Sequence, residues 1–99
     1  MSNISISSPF ISSLTHGDNS VGLTSSSLLT AVNAGQRRVL TVIQNKHGTA
    51  NIQVILNSTG DVGILVSAKS NLTLDNYNGP IRCISDTAST PVHIAYAIV

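Results

Sequence analysis

What most limits the fold of this chain is its punctuation. From residue 27 onward, short runs of β-branched and aliphatic residues are interrupted, roughly every 8–12 residues, by Gly, Asn, Asp, Ser and Pro. The runs cover residues 28–32, 38–44, 51–56, 63–66, 71–75, 81–85 and 91–99. Between them stand turn-forming clusters such as Asn33-Ala34-Gly35, Asn45-Lys46-His47-Gly48 and Asn57-Ser58-Thr59-Gly60-Asp61. No connection is long enough to hold a crossover helix, so parallel βαβ units are excluded and the strands pair antiparallel. The pattern predicts an all-β fold, a small antiparallel β-sandwich or barrel of about seven strands.

Residues 1–26 read differently, as an extended N-terminal arm ahead of a β-sandwich domain at 27–99. Ser and Asn dominate here, and apolar residues come singly or in pairs: Ile4, Ile6, Phe10-Ile11, Leu14, Val21 and Leu23. Pro9 and the His16-Gly17-Asp18-Asn19 cluster interrupt regular structure and leave room for a short strand at most. Such sparse apolar side chains cannot build a core, so they are expected to dock on a surface, of this domain or of a neighbour.

Alternation within the strands adds a second expectation. In the last run, Val92, Ile94, Tyr96 and Ile98 share one face and are expected to enter the core, while His93, Ala95, Ala97 and Val99 share the other. The run at 38–44 is apolar on both faces, with Val39, Thr41 and Ile43 opposite Leu40 and Val42. A sandwich can cover only one face of each sheet, so the second face must meet the arm, a loop or another subunit. Composition agrees: charged residues make up 9% of the chain, against about 25% in a typical soluble domain. A surface this poor in charge suits a subunit covered by neighbours, with a Ser/Thr/Asn-coated monomer as the alternative. The expected interface comprises Phe10, Ile11 and Leu14 from the arm and His93, Ala95 and Ala97 from the outer sheet face.

The same composition removes several functions. A formal net charge of +1 without a basic stripe, one Phe, two Tyr and no Trp leave neither an electrostatic footprint nor a stacking platform for nucleic acid. No apolar run approaches a membrane span, and the N-terminus lacks the basic and apolar regions of a signal peptide, so the chain is expected to be made and kept in the cytoplasm until it joins other subunits. Cys83 is the lone cysteine, set in an apolar alternating stretch, and is expected to be a buried structural thiol. His16, His47 and His93 are scattered, with His16 and His47 in turns. Asp18, Asp61, Asp75 and Asp86 are placed in turns or at strand ends, where the side chain caps backbone N–H groups. No nucleophile elbow, phosphate loop or metal-ligand spacing occurs. No catalytic, cofactor or metal residue is therefore expected, and the chain is not expected to be an enzyme.

The stretch Asn33-Ala34-Gly35-Gln36-Arg37-Arg38-Val39-Leu40-Thr41-Val42-Ile43-Gln44-Asn45 resembles a block found in small tailed-bacteriophage virion proteins. There a turn with one or two Arg leads into an apolar strand ending in Gln-Asn, followed by a small-residue turn and another apolar strand, here Gly48-Thr49-Ala50-Asn51-Ile52-Gln53-Val54. Tyr77-Asn78-Gly79-Pro80-Ile81-Arg82-Cys83-Ile84-Ser85 and the final strand match in style. The chain departs from the pattern at Ala68-Lys69-Ser70, where a Pro-Gly turn often stands. The resemblance implies a virion structural role. Its first form is a capsid decoration (cement) protein that binds the major capsid protein, often as a homotrimer. A tail, baseplate or fibre adaptor of the same fold is the alternative. A glycan-binding or hydrolytic domain stands as a further alternative outside the resemblance.

Overall fold

The computed structural model describes residues 13–99. Eight strands are formed: β1 (Thr15–Val21), β2 (Ser26–Leu29), β3 (Arg38–Asn45), β4 (Ile52–Ile55), β5 (Ile64–Val66), β6 (Asn71–Asp75), β7 (Ile81–Ser85) and β8 (Thr90–Ile98). They build two four-stranded sheets, ordered β1-β8-β3-β6 and β2-β7-β4-β5. All pairings are antiparallel. This order of strands is that of a jelly roll, a double-sheet sandwich in which most connections cross from one sheet to the other. The expected small antiparallel sandwich is the observed fold.

The core is the meeting of the two inner faces. Val21, Ile43, Val92 and Ile94 come from one sheet, and Ile52, Val54, Val66, Ile81 and Cys83 from the other. Within the first sheet Ile43 sits opposite Ile94, so β-branched side chains pair directly across the two central strands. Leu28, Leu29, Leu72, Leu74 and Tyr77 close the margins of the cluster.

Polar groups inside are mostly satisfied locally. Asn45, fully buried at the end of β3, donates from Nδ2 to the carbonyls of Ala50 (2.8 Å) and Val66 (3.1 Å) and accepts from His47 N. One side chain thus ties β3 to the turn after it and to β5. Ser85 and Thr90, both buried, share a hydroxyl contact of 2.6 Å, and Thr90 also donates to Thr87 O, which pins the connection from β7 to β8. In the turn at 67–70, Ser70 N donates to Ser67 O and Lys69 takes a φ of 61°. Lys69 therefore occupies the third turn position, the one that type II geometry gives to glycine.

Two details differ from expectation. Within the arm expected at 1–26, residues 15–21 form β1, a seven-residue edge strand of the sandwich that ends on the fully buried Val21. Pairing with β8 from Thr15–Tyr96 to Val21–Thr90 supplies the strand order that the local His-Gly-Asp-Asn sequence lacks. Residues 1–12 lie outside the described residues. In β8, Val92 and Ile94 enter the core, but Ile98 is 42% exposed and Tyr96 only half-buried, while Ala95 and Ala97 of the opposite face are buried. The pairing of β3 with β8 slips between Arg38–Ile98 and Leu40–Ala97, and such a bulge re-aims the side chains at the end of a strand.

Candidate functional site

The outer face of the β1-β8-β3-β6 sheet carries the most organised polar arrangement outside the core. Register places Asp18 of β1 opposite His93 of β8, and His16 opposite Ala95. His93 Nδ1 lies 2.7 Å from Asp18 Oδ1, and His93 Nε2 lies 2.9 Å from His16 Nδ1. The rings are tilted by 31° with centroids 5.1 Å apart. The hydrogen bonds fix the proton positions: a carboxylate only accepts, so His93 donates from Nδ1. A neutral His93 then accepts at Nε2 from the Nδ1–H of His16. The hydrogen bond from His93 holds the Asp18 carboxyl below its ordinary value, helped by the charge of Lys46, although partial burial opposes the shift.

Beside this relay runs an apolar groove of about 210 Å³. Its lining crosses the whole sheet: Leu14 and His16 at β1, His93 and Ala95 on β8, Val42 and Gln44 on β3, and Asn71 on β6. None of these side chains carries a permanent charge. The expected interface residues divide accordingly. Leu14, His93 and Ala95 meet at this groove. Ala97 is buried one step along β8, and Phe10 and Ile11 lie outside the described residues.

A second exposed apolar stretch lies outside the expected interface. Val62, Ile64 and Leu65 are 86%, 43% and 63% exposed, on and just before the edge strand β5. The strand run at 63–66 was legible, but its position at a sheet edge depends on partners far along the chain.

The other titratable groups have local tasks. His47 Nδ1 accepts from the backbone N–H groups of Thr49 (3.0 Å) and Ala50 (2.9 Å), so its ring caps a turn rather than being merely solvated. His16 stands in β1, not in a turn, and Asp18 likewise stands inside a strand. Asp86 accepts from Asn51 N and Thr87 Oγ1, a capping role. Cys83 is buried in the core, and loss of solvation pushes its thiol up to about 12. Among the described residues no group of three or more His, Cys, Asp or Glu could hold a metal ion, and no helix is long and apolar enough to cross a membrane.

No protein-family model and no curated protein matches the chain. Its fold is similar to a solved structure of Bacillus endospore appendages, described as forming a novel family of disulfide-linked pili. The TM-score is 0.59 at 16% sequence identity, over 98% of this chain and 96% of that one. At that identity the likeness is one of fold.

Proposed function

We propose that this chain is a non-enzymatic structural subunit of a virion, a capsid decoration protein that binds and stabilises the shell of major capsid protein. The observation that carries the reading is the apolar stretch Val62-Gly63-Ile64-Leu65, exposed along an edge strand in a chain with only nine charged residues. An edge strand presents unpaired backbone groups, and natural proteins normally guard it with charge or proline. Here it is left apolar, as suits a strand that a neighbouring subunit covers. The resemblance around Asn33 to Asn45 supports a virion as the setting, with a homotrimer as the favoured form.

A tail, baseplate or fibre-associated adaptor is the second reading. It draws on the likeness in fold to the appendages described as disulfide-linked pili. Those appendages are disulfide-linked, whereas association here would be non-covalent, because the lone thiol is in the core.

Light scattering of the full chain and of the Leu65→Lys variant tests the association. The wild type is expected as a multimer that the substitution converts to monomer, without loss of β structure by circular dichroism. A wild type that stays monomeric at all concentrations, and leaves phage capsids undecorated in electron micrographs, would overturn the proposal. Binding of gold-labelled protein to tails instead of heads selects the adaptor.

A further inference from the structure

The relay on the outer sheet face brings two ring nitrogens together, His16 Nδ1 and His93 Nε2, at 2.9 Å. Each can present a lone pair in one of its tautomers. We propose that this pair is a site for a divalent transition-metal ion of the zinc class, held between the two nitrogens as a clamp of β1 onto β8. The distances agree. Imidazole nitrogens bind zinc at about 2.0–2.1 Å, so two of them on a tetrahedral ion stand about 3.3 Å apart. The rings need to open by only about 0.4 Å from where they meet. Sheet register prepares the pair: Asp18 stands opposite His93, and His16, opposite Ala95, is the diagonal neighbour of His93.

Asp18 supplies the outer support. It accepts from His93 Nδ1 at 2.7 Å, which fixes the ring and leaves Nε2 free to ligate. Metal-binding histidines ordinarily give their other N–H to such a carboxylate. His16 frees its nitrogen by moving its proton from Nδ1 to Nε2, so neutral rings take up the ion without net proton release. Water completes the tetrahedron from the groove, which both histidines line. The clamp also suits the strand it holds. Residues His16-Gly17-Asp18-Asn19 have little intrinsic strand preference, and an ion bridging β1 and β8 binds only their paired state.

The test adds zinc chloride to the isotope-labelled full chain and follows the histidine rings by long-range proton–nitrogen correlation spectra, which show which nitrogen bears the proton. Zinc should move the His16 proton from Nδ1 to Nε2 and leave His93 protonated at Nδ1. His47 is the internal reference, because its Nδ1 already accepts from Thr49 N and Ala50 N, and its signals should stay in place. In calorimetric titration, His16→Gln and His93→Gln should each weaken zinc binding about tenfold or more, and Asp18→Asn about tenfold. Zinc should also raise the thermal midpoint of the wild type but not of His93→Gln. Ring signals of His16 and His93 that ignore millimolar zinc would overturn the proposal without recourse to any variant. Equal zinc affinity in the wild type and His93→Gln would overturn it too, as would a response of His47 equal to that of His16, the mark of adventitious surface coordination.

Discussion

Thr41 and Arg38 hold the two buried side-chain atoms, Thr41 Oγ1 and Arg38 Nε, that find no hydrogen-bond partner among the described residues. Their remedies differ because their remaining contacts differ. Thr41 makes no other side-chain hydrogen bond, so Thr41→Val removes an unsatisfied group at nearly constant volume and should stabilise by about 1 kcal/mol. A lowered urea midpoint would contradict this. Arg38 instead donates to the carbonyls of Thr30 and Gly79 and lies 6.0 Å from the Tyr96 ring. Arg38→Met strands those acceptors and should cost about 3 kcal/mol. Lys69, at φ 61°, bears the strain of a left-handed residue with a side chain. Lys69→Gly relieves about 1–2 kcal/mol of it and returns part through the freer unfolded chain, so a net gain of about 0.5–1 kcal/mol is expected. Asp18 gives the pH signature of the relay. Its carboxyl is depressed in the folded state, so the associated stability is present above the ordinary carboxyl value of about 3.9 and is lost as pH falls through the lower folded value. The stability gap between wild type and Asp18→Asn should thus be open at pH 5 to 7 and close in stronger acid, when denaturation midpoints are measured across that range.

Among the elements, legibility follows the period-2 pattern. The run read at 81–85 is β7 to the residue, because it alternates buried and half-buried side chains, and that at 38–44 is β3 less one, because its continuous apolar run is bounded by turn residues. β1 carries no such pattern. His16 and Asp18 face outward, Gly17 and Asn19 inward, and only Val21 reports burial, so nothing local distinguishes a strand from a lead-in. Sheet membership was equally hidden. Apart from β4 to β5, every connection passes between the sheets, so neighbours in sequence are not neighbours in space. The relay follows from that topology: His93 was recognisable as a mid-strand histidine, but its partners lie 77 and 75 residues away. The one hairpin has its own fragile point. A Cβ on Gly63 would collide with the carbonyl oxygen of Val54, while Gly63 N donates to Gln53 Oε1 at 2.9 Å. Gly63→Ala must push β5 off β4 and should cost about 1–3 kcal/mol. Hydrogen exchange should then rise in residues 62–66 before the rest of the sheet.

For the whole molecule the deciding quantity is how little charge it carries. Nine charged residues in 99, with the exposed side chains of Val62, Ile64 and Leu65 gathered at one edge, predict an association driven by apolar burial rather than by ion pairs. The two drivers respond oppositely to salt. Sodium chloride weakens attraction between surface charges, with a Debye length of about 10 Å at 0.1 M, whereas sulfate strengthens apolar burial by its exclusion from protein surface. The association constant, followed by sedimentation velocity, should therefore hardly change between low and moderate sodium chloride and should rise in sodium sulfate. It should also survive reducing agent, since Cys83 is sequestered. A steep fall with sodium chloride would assign the interface to the few charged residues and remove β5 from it. Loss of association under reducing conditions would mean that the sandwich opens far enough to expose its core thiol.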